Sequence, residues 1–157
     1  MVLVGMKGDE PMKVSTRGRY GLRAMAELAM ARDIESCVSL KSIAERQGIS
    51  EHYLEQLFLP LKKAELVASV RGAQGGYRLA RVADSISVGE ILRALEGSLA
   101  PVDCIAEDGE GTCGNANCET CMTKQVWGQI YDSLNTVVDG ISLADLVKNG
   151  KAGEGAI

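Results

Sequence analysis

One stretch of the chain, residues 20–61, restricts the fold most, because it holds three apolar stripes of helical period separated by capping residues. The first stripe falls within residues 20–32, the second follows Ser39 and ends at Gly48, and the third follows Ser50. Serine is a preferred helix N-cap, and glycine is preferred just after a helix. The apolar positions are Leu22, Met25, Ala26, Leu28 and Ala29, then Leu40, Ile43 and Ala44, then Tyr53, Leu54, Leu57, Phe58 and Leu61. Helix, glycine-containing turn and helix predict a helix-turn-helix.

The residues after Ala64 change period and predict a β-hairpin. Residues 66–71 favour a strand, three glycines interrupt the chain between 72 and 76, and residues 77–79 alternate in polarity. A hairpin directly after a helix-turn-helix is typical of the wing of a winged helix, whose tip lies on DNA phosphates or enters the minor groove. An ordinary structural hairpin is the alternative, and the basic flanks Arg71, Arg78 and Arg81 favour the wing.

Charge divides the chain into two halves. Residues 12–82 hold twelve Lys or Arg against seven Asp or Glu, a balance of +5, whereas residues 83–157 hold four against twelve, a balance of -8. A basic half indicates contact with phosphates, although clustering on solvated helix faces gives the same pattern. We expect no enzyme, because the sequence has no phosphate-binding loop, no evident carboxylate pair and no histidine near a Ser or Cys nucleophile.

Four of the five cysteines, Cys104, Cys113, Cys118 and Cys121, fall within eighteen residues. The sequence shows no secretory leader and no apolar run long enough to span a bilayer, so we expect a cytoplasmic protein with reduced thiols and no membrane contact. Thiolates then indicate a metal site. Iron-sulfur is favoured over zinc, since a structural zinc usually has two paired ligand turns and eight residues separate Cys104 from Cys113. Zinc and an unligated or disulfide-forming thiol switch are the alternatives, and Cys37 is expected to be an ordinary small apolar residue.

These patterns give a domain plan. Residues 1–11 form an N-terminal extension, 12–82 a winged helix-turn-helix and 150–157 a disordered tail. Residues 83–149 hold a linker helix capped by Ser87, a cysteine loop over 101–121 and a helix over 122–141. The apolar stripe of that last helix predicts pairing of two subunits, with packing on its own core as the alternative. It comprises Val126, Trp127, Ile130, Tyr131, Leu134, Val137, Val138 and Ile141. The predicted fold is mainly α with a small β-hairpin: a winged helix plus a long dimerisation helix.

The helix that follows Ser50 carries polar residues away from its packing face, and these are candidates to address base edges. They are Glu51, His52, Glu55 and Gln56. Gln pairs with adenine through two hydrogen bonds, and Glu accepts from the cytosine amino group while repelling phosphate. Exposed polar residues occur on any surface helix, so the prediction depends on this helix being the recognition helix.

Several runs of the chain resemble one family of regulators. Residues 15–20 (STRGRY), 45–50 (ERQGIS), 53–58 (YLEQLF), 69–72 (SVRG) and 75–77 (GGY) closely resemble IscR, and 39–44 (SLKSIA) and 50–57 (SEHYLEQL) resemble CymR. The chain is identified as a member of the winged-helix regulator family of IscR, CymR and NsrR over about residues 12–146. The resemblance implies a homodimer on palindromic double-stranded DNA. The residues it assigns to DNA are Arg17, Arg19, His52, Tyr53, Glu55, Gln56, Arg71, Gly75 and Gly76.

The resemblance also bears on the cysteines, because IscR and NsrR hold an iron-sulfur cluster on three cysteines just before the dimerisation helix. Cys104, Cys113 and one of Cys118 or Cys121 occupy that place. Alignment on Trp127 selects Cys121, whereas the final spacing selects Cys118 and puts Cys121 where IscR has a histidine. A 2Fe-2S cluster is the first expectation and a 4Fe-4S cluster the second.

The resemblance implies two functions. The first is a regulator that senses cluster status, and so iron, oxygen or redox stress, and controls iron-sulfur assembly or cysteine and sulfur metabolism genes. The alternative is a CymR-like repressor of cysteine metabolism that a metabolic enzyme partner controls, with cysteines that bind zinc or act as a thiol switch. The chain departs from IscR in its single histidine, His52, which lies on the recognition helix.

Overall fold

A computed structural model describes residues 14–31, 35–105 and 120–154 and shows a mainly helical protein with one β-hairpin, as the sequence predicts. The elements in chain order are α1 (Thr16–Ala29), α2 (Leu40–Gln47), α3 (Glu51–Lys63), β1 (Val67–Val70), β2 (Gly76–Leu79), α4 (Val88–Glu96), α5 (Lys124–Gly140) and α6 (Leu143–Glu154). A short 3-10 helix, Ala83–Ser85, precedes α4, and a second, Asp103–Ile105, follows it.

The helix-turn-helix begins and ends at the predicted capping residues. Ser39 accepts a hydrogen bond from the Ser42 N–H at 3.2 Å, and Ser50 accepts one from the Tyr53 N–H at 3.1 Å. Gly48 ends α2 in the left-handed conformation, with φ at +67°, which a residue with a Cβ adopts at a cost. The first helix starts earlier than its apolar stripe predicts, at Thr16, because Ser15 caps it.

The wing is an antiparallel hairpin in which Val67 pairs with Leu79 and Val70 with Gly76. Val38, just before α2, extends the pairing by exchanging backbone hydrogen bonds with Tyr77 at 2.8 and 2.9 Å. A Cβ on Gly76 would lie 2.2 Å from the Val38 carbonyl oxygen. The glycine therefore allows this third segment to approach the wing.

One hydrophobic core joins the two halves of the chain. The buried side chains of α3, Leu54, Leu57, Phe58 and Leu61, pack in the same cluster as Ile91 of α4 and Leu143 of α6. The functional boundary predicted near residue 82 therefore does not divide the packing. Because α3 is held from both sides, its outer face has a fixed position.

Backbone hydrogen bonds join the connection between α5 and α6 to the start of α4. Ile141 accepts a hydrogen bond from the Val88 N–H at 2.9 Å, and the Leu143 N–H donates to Ile86 at 2.8 Å. α5 begins at Lys124, two residues after the predicted start, and α6 continues to Glu154, into the range predicted to be a tail. The backbone φ of Gly150 is not positive, so that glycine does not end the helix.

Candidate nucleic-acid interface and cysteine site

The outer face of α3 presents a connected polar patch formed by His52, Glu55 and Gln56. The side chains of His52 and Glu55 are 80% and 56% exposed, and His52 Nδ1 lies 3.8 Å from Glu55 Oε2. His52 Nε2 lies 3.2 Å from Gln56 Nε2. The first distance is too long for a hydrogen bond, whereas the second is within hydrogen-bond range. The Gln56 carbonyl and both Glu55 oxygens have no hydrogen bond among the described contacts on this face.

Tyr53, also assigned to DNA by the sequence, has a half-buried ring that packs in the protein. Its edge meets the ring of Tyr20 with centroids 6.2 Å apart and planes at 89°. This contact joins α3 to α1, which is the packing role that the apolar period of the helix predicts. The structure thus places Tyr53 behind the polar patch.

The arginines of the wing differ in their surroundings. Arg81 pairs with Glu90 at 2.7 Å, and Arg78 lies 4.0 Å from Glu35 and donates to the Leu79 carbonyl at 3.4 Å. Arg71, at the start of the wing turn, is exposed. Of the three flanking arginines, Arg71 is therefore the one best placed to contact DNA. On α1, the predicted Arg17 and Arg19 are also exposed, in the first turn of the helix.

The glycines at the wing tip serve the hairpin itself. A Cβ on Gly75 would lie 2.3 Å from the Val70 carbonyl oxygen, and the Gly75 N–H donates to Gly72 at 3.0 Å. Gly75 and Gly76 therefore shape the tip that the sequence assigns to DNA, because no larger residue fits the turn.

Cys37 contacts the wing turn, which sequence reasoning missed. Its thiol donates to the Gln74 carbonyl at 2.9 Å, and the side chain is half-buried. The sequence predicts only a small apolar residue, because the pairing of Val38 with Tyr77 that brings it to the wing joins residues far apart in the chain.

Two of the predicted metal ligands lie in segments next to α5 in the fold or in the chain. Cys104 is in the short helix Asp103–Ile105, which packs against α5, and Cys121 lies three residues before Lys124. Both are free thiols. Cys113 and Cys118 lie outside the described residues, and among those that the structure does describe no three His, Cys, Asp or Glu side chains are grouped to hold a metal.

The surroundings of Cys121 favour a thiolate. Its sulfur lies 3.2 Å from the Thr123 hydroxyl, and this hydroxyl together with the Thr123 and Lys124 N–H groups lowers the pKa of the Cys121 thiol. Thiolate is the form that ligates iron and zinc. The donor set therefore fits a thiolate-bound metal or cluster.

α5 has two apolar faces where the sequence predicts one stripe. The inner face is half-buried or buried and comprises Trp127, Tyr131, Leu134 and Val138. The outer face is exposed in the single chain and comprises Val126, Ile130, Val137 and Ile141, which are 36 to 58% exposed. The stripe is therefore divided between packing within the chain and an uncovered surface.

A charged clamp fixes the C-terminal half of α5. Arg93 of α4 donates to both carboxylate oxygens of Asp139 at 2.8 Å and to Asn135 at 2.7 Å. A Cβ on Gly89 would lie 1.9 Å from the Asp139 carboxylate, so that glycine makes room for the clamp. The hydrogen bonds from Arg93 lower the pKa of Asp139.

A helix-turn-helix with a fixed polar face, a glycine-tipped wing and exposed arginines beside them define the class: a winged-helix DNA-binding transcription regulator. The chain belongs to the Rrf2 family, described as iron-dependent transcriptional regulators, whose model matches residues 14–149. The predicted family and fold class are confirmed. The protein is a regulator and not an enzyme.

The chain is similar to two of the named members of its predicted family, CymR and IscR. CymR of Bacillus subtilis is 46% identical over 135 residues, which is 86% of this chain and 89% of that protein. A solved structure of CymR, the global cysteine regulator of B. subtilis, has a TM-score of 0.70 at 42% identity and covers 88% of this chain and 98% of that one. A solved structure of IscR of T. potens has a TM-score of 0.70 at 48% identity and covers 96% of this chain and 95% of that one.

Within the described part of the chain, no helix has the length and apolar character that crossing a membrane requires.

Proposed function

We propose that this protein is a homodimeric promoter-binding regulator whose affinity for DNA depends on an iron-sulfur cluster held by Cys104, Cys113, Cys118 and Cys121. The observation that carries the proposal is the position of the two described cysteines: Cys104 lies in the short helix that packs against α5, and Cys121 lies three residues before α5, the helix with an uncovered apolar face. A cluster there would sit against the element that pairs the subunits. The ligand set thus links metal status to the geometry of the dimer.

The cysteine chemistry supports iron-sulfur ligation. Soft thiolates select iron-sulfur clusters and zinc, and hydrogen bonds to sulfur tune a cluster. The lowered pKa of Cys121 supports it as a ligand, whichever of Cys118 and Cys121 matches the third family cysteine. The bound cluster would supply sensitivity to iron supply and oxidants, and the genes controlled would be those of iron-sulfur assembly or sulfur metabolism.

The outer face of α5 supports the dimer. Val126, Ile130, Val137 and Ile141 repeat at four and seven residues, as the seam of a helix pair does. A twofold dimer presents two copies of α3 to successive major grooves of a palindrome. In each, Gln56 would pair with adenine, Glu55 would accept from cytosine and repel other arrangements, and Arg17, Arg19 and Arg71 would contact phosphates or base edges.

The anchoring of α5 supports a way for the loop to act on DNA binding. Its C-terminal half is held by the Arg93 to Asp139 clamp and by the Ile141 to Val88 hydrogen bond. Its N-terminal end meets the cysteine loop. Binding a cluster on the cysteines of that loop would shift the end of α5 that is not clamped and so change the separation of the two recognition helices.

The 46% identity to CymR favours a second candidate, a repressor of cysteine metabolism controlled by an enzyme partner. In that reading the cysteines bind zinc or form a thiol switch. Colour separates the two, because an iron-sulfur protein absorbs visible light and a zinc protein does not.

The test is anaerobic purification followed by absorption spectra and counts of iron and sulfide. We expect a brown protein, and we expect Cys104→Ala, Cys113→Ala and Cys121→Ala each to lose iron and sulfide without unfolding, because the core is apolar and separate from the loop. Cys118→Ala should lose at least part of the cluster. Cys37→Ala is the matched control and should keep its full content, since Cys37 contacts the wing. A colourless protein that binds zinc would favour the second candidate.

A further inference from the structure

We infer that Glu96 is a positioning residue for DNA binding: its carboxylate holds the first turn of α1, and with it Arg17 and Arg19, against the end of α4. The cluster-dependent part of this inference rests on the proposed function. The part that concerns Arg17 and Arg19 depends only on the protein being a DNA-binding regulator.

The contact joins residues far apart in sequence. Glu96 Oε1 accepts a hydrogen bond from the Ser15 hydroxyl at 2.5 Å and one from the Gly18 N–H at 2.8 Å, across 81 and 78 residues. The Ser15 oxygen in turn accepts from the Arg17 N–H at 3.2 Å. A single carboxylate therefore binds both the cap and the first turn of α1.

The backbone of α1 is shaped to receive this carboxylate. Gly18 is buried, and a Cβ there would lie 2.5 Å from Glu96 Oε1 and 2.9 Å from Val14. One turn later, a Cβ on Gly21 would lie 2.2 Å from Leu95. Two glycines three residues apart thus bring α1 onto the end of α4 at a distance that side chains would prevent.

The contact between Glu96 and the start of α1 is also electrostatically favourable. The first turn of α1 has no acidic residue of its own, and the N–H groups at the start of a helix favour a negative charge. Glu96 supplies that charge from another helix. Arg17 and Arg19 lie in the same turn and are exposed, so the carboxylate fixes the backbone from which both side chains reach toward phosphates.

Glu96 also lies a few residues before the cysteine loop in the chain. It is the last residue of α4, Gly97 turns the chain with φ at +83°, and Cys104 follows eight residues after Glu96. One turn earlier on α4, Arg93 clamps α5. The end of α4 therefore contacts both α5 and α1, and a displacement of the cysteine loop that moves this end would reach Arg17 and Arg19 through the Glu96 carboxylate.

The experiment measures how the DNA affinity of the full-length dimer depends on salt, in Glu96→Gln and in Arg17→Ala/Arg19→Ala, alone and combined. In the parent protein the double arginine variant should lower the magnitude of the slope of log affinity against log salt by up to about 3.6, because the two subunits together lose four phosphate contacts at ~0.9 each. In the Glu96→Gln background the double arginine variant should change the slope by less than half of the parent value, because the arginines are no longer held in place. Equal changes in both backgrounds would overturn the positioning role.

Two further variants keep the test decisive. Glu90→Gln is the matched control, since Glu90 also caps a helix with its carboxylate, but at the other end of α4, and it should leave the arginine effect intact. Gly18→Ala should displace the Glu96 carboxylate and reproduce Glu96→Gln. If Glu96→Gln does not fold, an intact arginine effect in Gly18→Ala would overturn the inference, and its loss would support it.

The cluster arm separates this inference from the proposed function. DNA affinity is compared between cluster-loaded and cluster-free protein, and Glu96→Gln should bring the two affinities together while the iron and sulfide content stays at the parent level. A parent protein whose DNA binding ignores the cluster would contradict the proposed function, and the salt test would still decide the role of Glu96. If Glu96→Gln keeps the parent ratio of cluster-loaded to cluster-free DNA affinity, the coupling through Glu96 is overturned and the proposed function is not.

Discussion

Sequence discrimination is expected to depend on a few side chains of α3 that contact one another. His52 lies 3.2 Å from Gln56 and 3.8 Å from Glu55, so we expect the proposed base-reading groups to be partly oriented before DNA arrives. Preorganisation of this kind reduces the entropy lost on binding. The polar residues and their helix are predictable from sequence, because caps and apolar period fix which face is outward. The position of Cys37 against the wing is not, since it depends on a pairing between distant segments.

Gln56→Ala should lose discrimination at one base pair. Removing a two-hydrogen-bond contact to adenine should cost ~1 to 3 kcal/mol for the preferred base and little for its competitors. Binding-site selection with the variant measures this directly. Glu45→Ala, an exposed acidic residue on α2, is the control and should keep the parent preference. An unchanged preference in Gln56→Ala would mean that α3 is not the reader.

Among the elements, α5 is the one whose role the sequence shows least completely. Its apolar residues predict one wide stripe, but the structure divides them between an inner face against α4 and an outer face that is uncovered. Period alone does not distinguish these faces, because the spacings of both, three, four and seven residues, fit the helical repeat. The hydrogen bonds from Arg93 to Asp139 hold one face of α5 against α4. The Asp139 carboxylate fits there because Gly89 has no Cβ.

Asp139→Asn should loosen α5 and lower the free energy of unfolding by about 0.5 to 1 kcal/mol near neutral pH, a value reduced for solvent screening because the pair is partly exposed. Since Arg93 holds the pKa of Asp139 below its ordinary 3.8, the carboxylate stabilises the fold above that pH and loses its effect as the pH falls through the lowered pKa. Denaturant unfolding of parent and variant at several pH values checks this. The difference should be constant between about pH 5 and 7 and shrink below about pH 4. Asp132→Asn, exposed on the same helix, should show no such difference.

At the scale of the whole molecule, one core joins the DNA-binding half to the half that carries the cysteines. Leu143 and Ile91 pack with Leu54 and Phe58, and the Glu96 carboxylate binds the start of α1. The family and fold class predicted from the helix caps, glycine turns and motifs are confirmed, whereas the function of the cysteine-bearing part stays a prediction. The sequence does not show how closely the two halves are joined, because contacts across some eighty residues leave no local pattern.

Ile130→Asp should convert the proposed dimer to monomers. Ile130 lies in the middle of the outer face of α5, where a second subunit would enclose the new carboxylate without a partner, at a cost of several kcal/mol. Sedimentation measures the result, and the monomers should bind half-sites weakly. Gln125→Asp adds the same charge to the same helix, away from the outer face, and should remain dimeric. A variant that stays dimeric with parent affinity would assign the outer face of α5 to another role.

The central claim is that the state of the cysteines controls DNA binding. The most direct measurement is the affinity of one anaerobic preparation for its selected operator before and after removal of the cluster, at fixed salt concentration. We predict a change of at least ~10-fold, or about 1.4 kcal/mol, within the range of known couplings between sites. Affinity and site preference that agree within about twofold in the two states would contradict the claim.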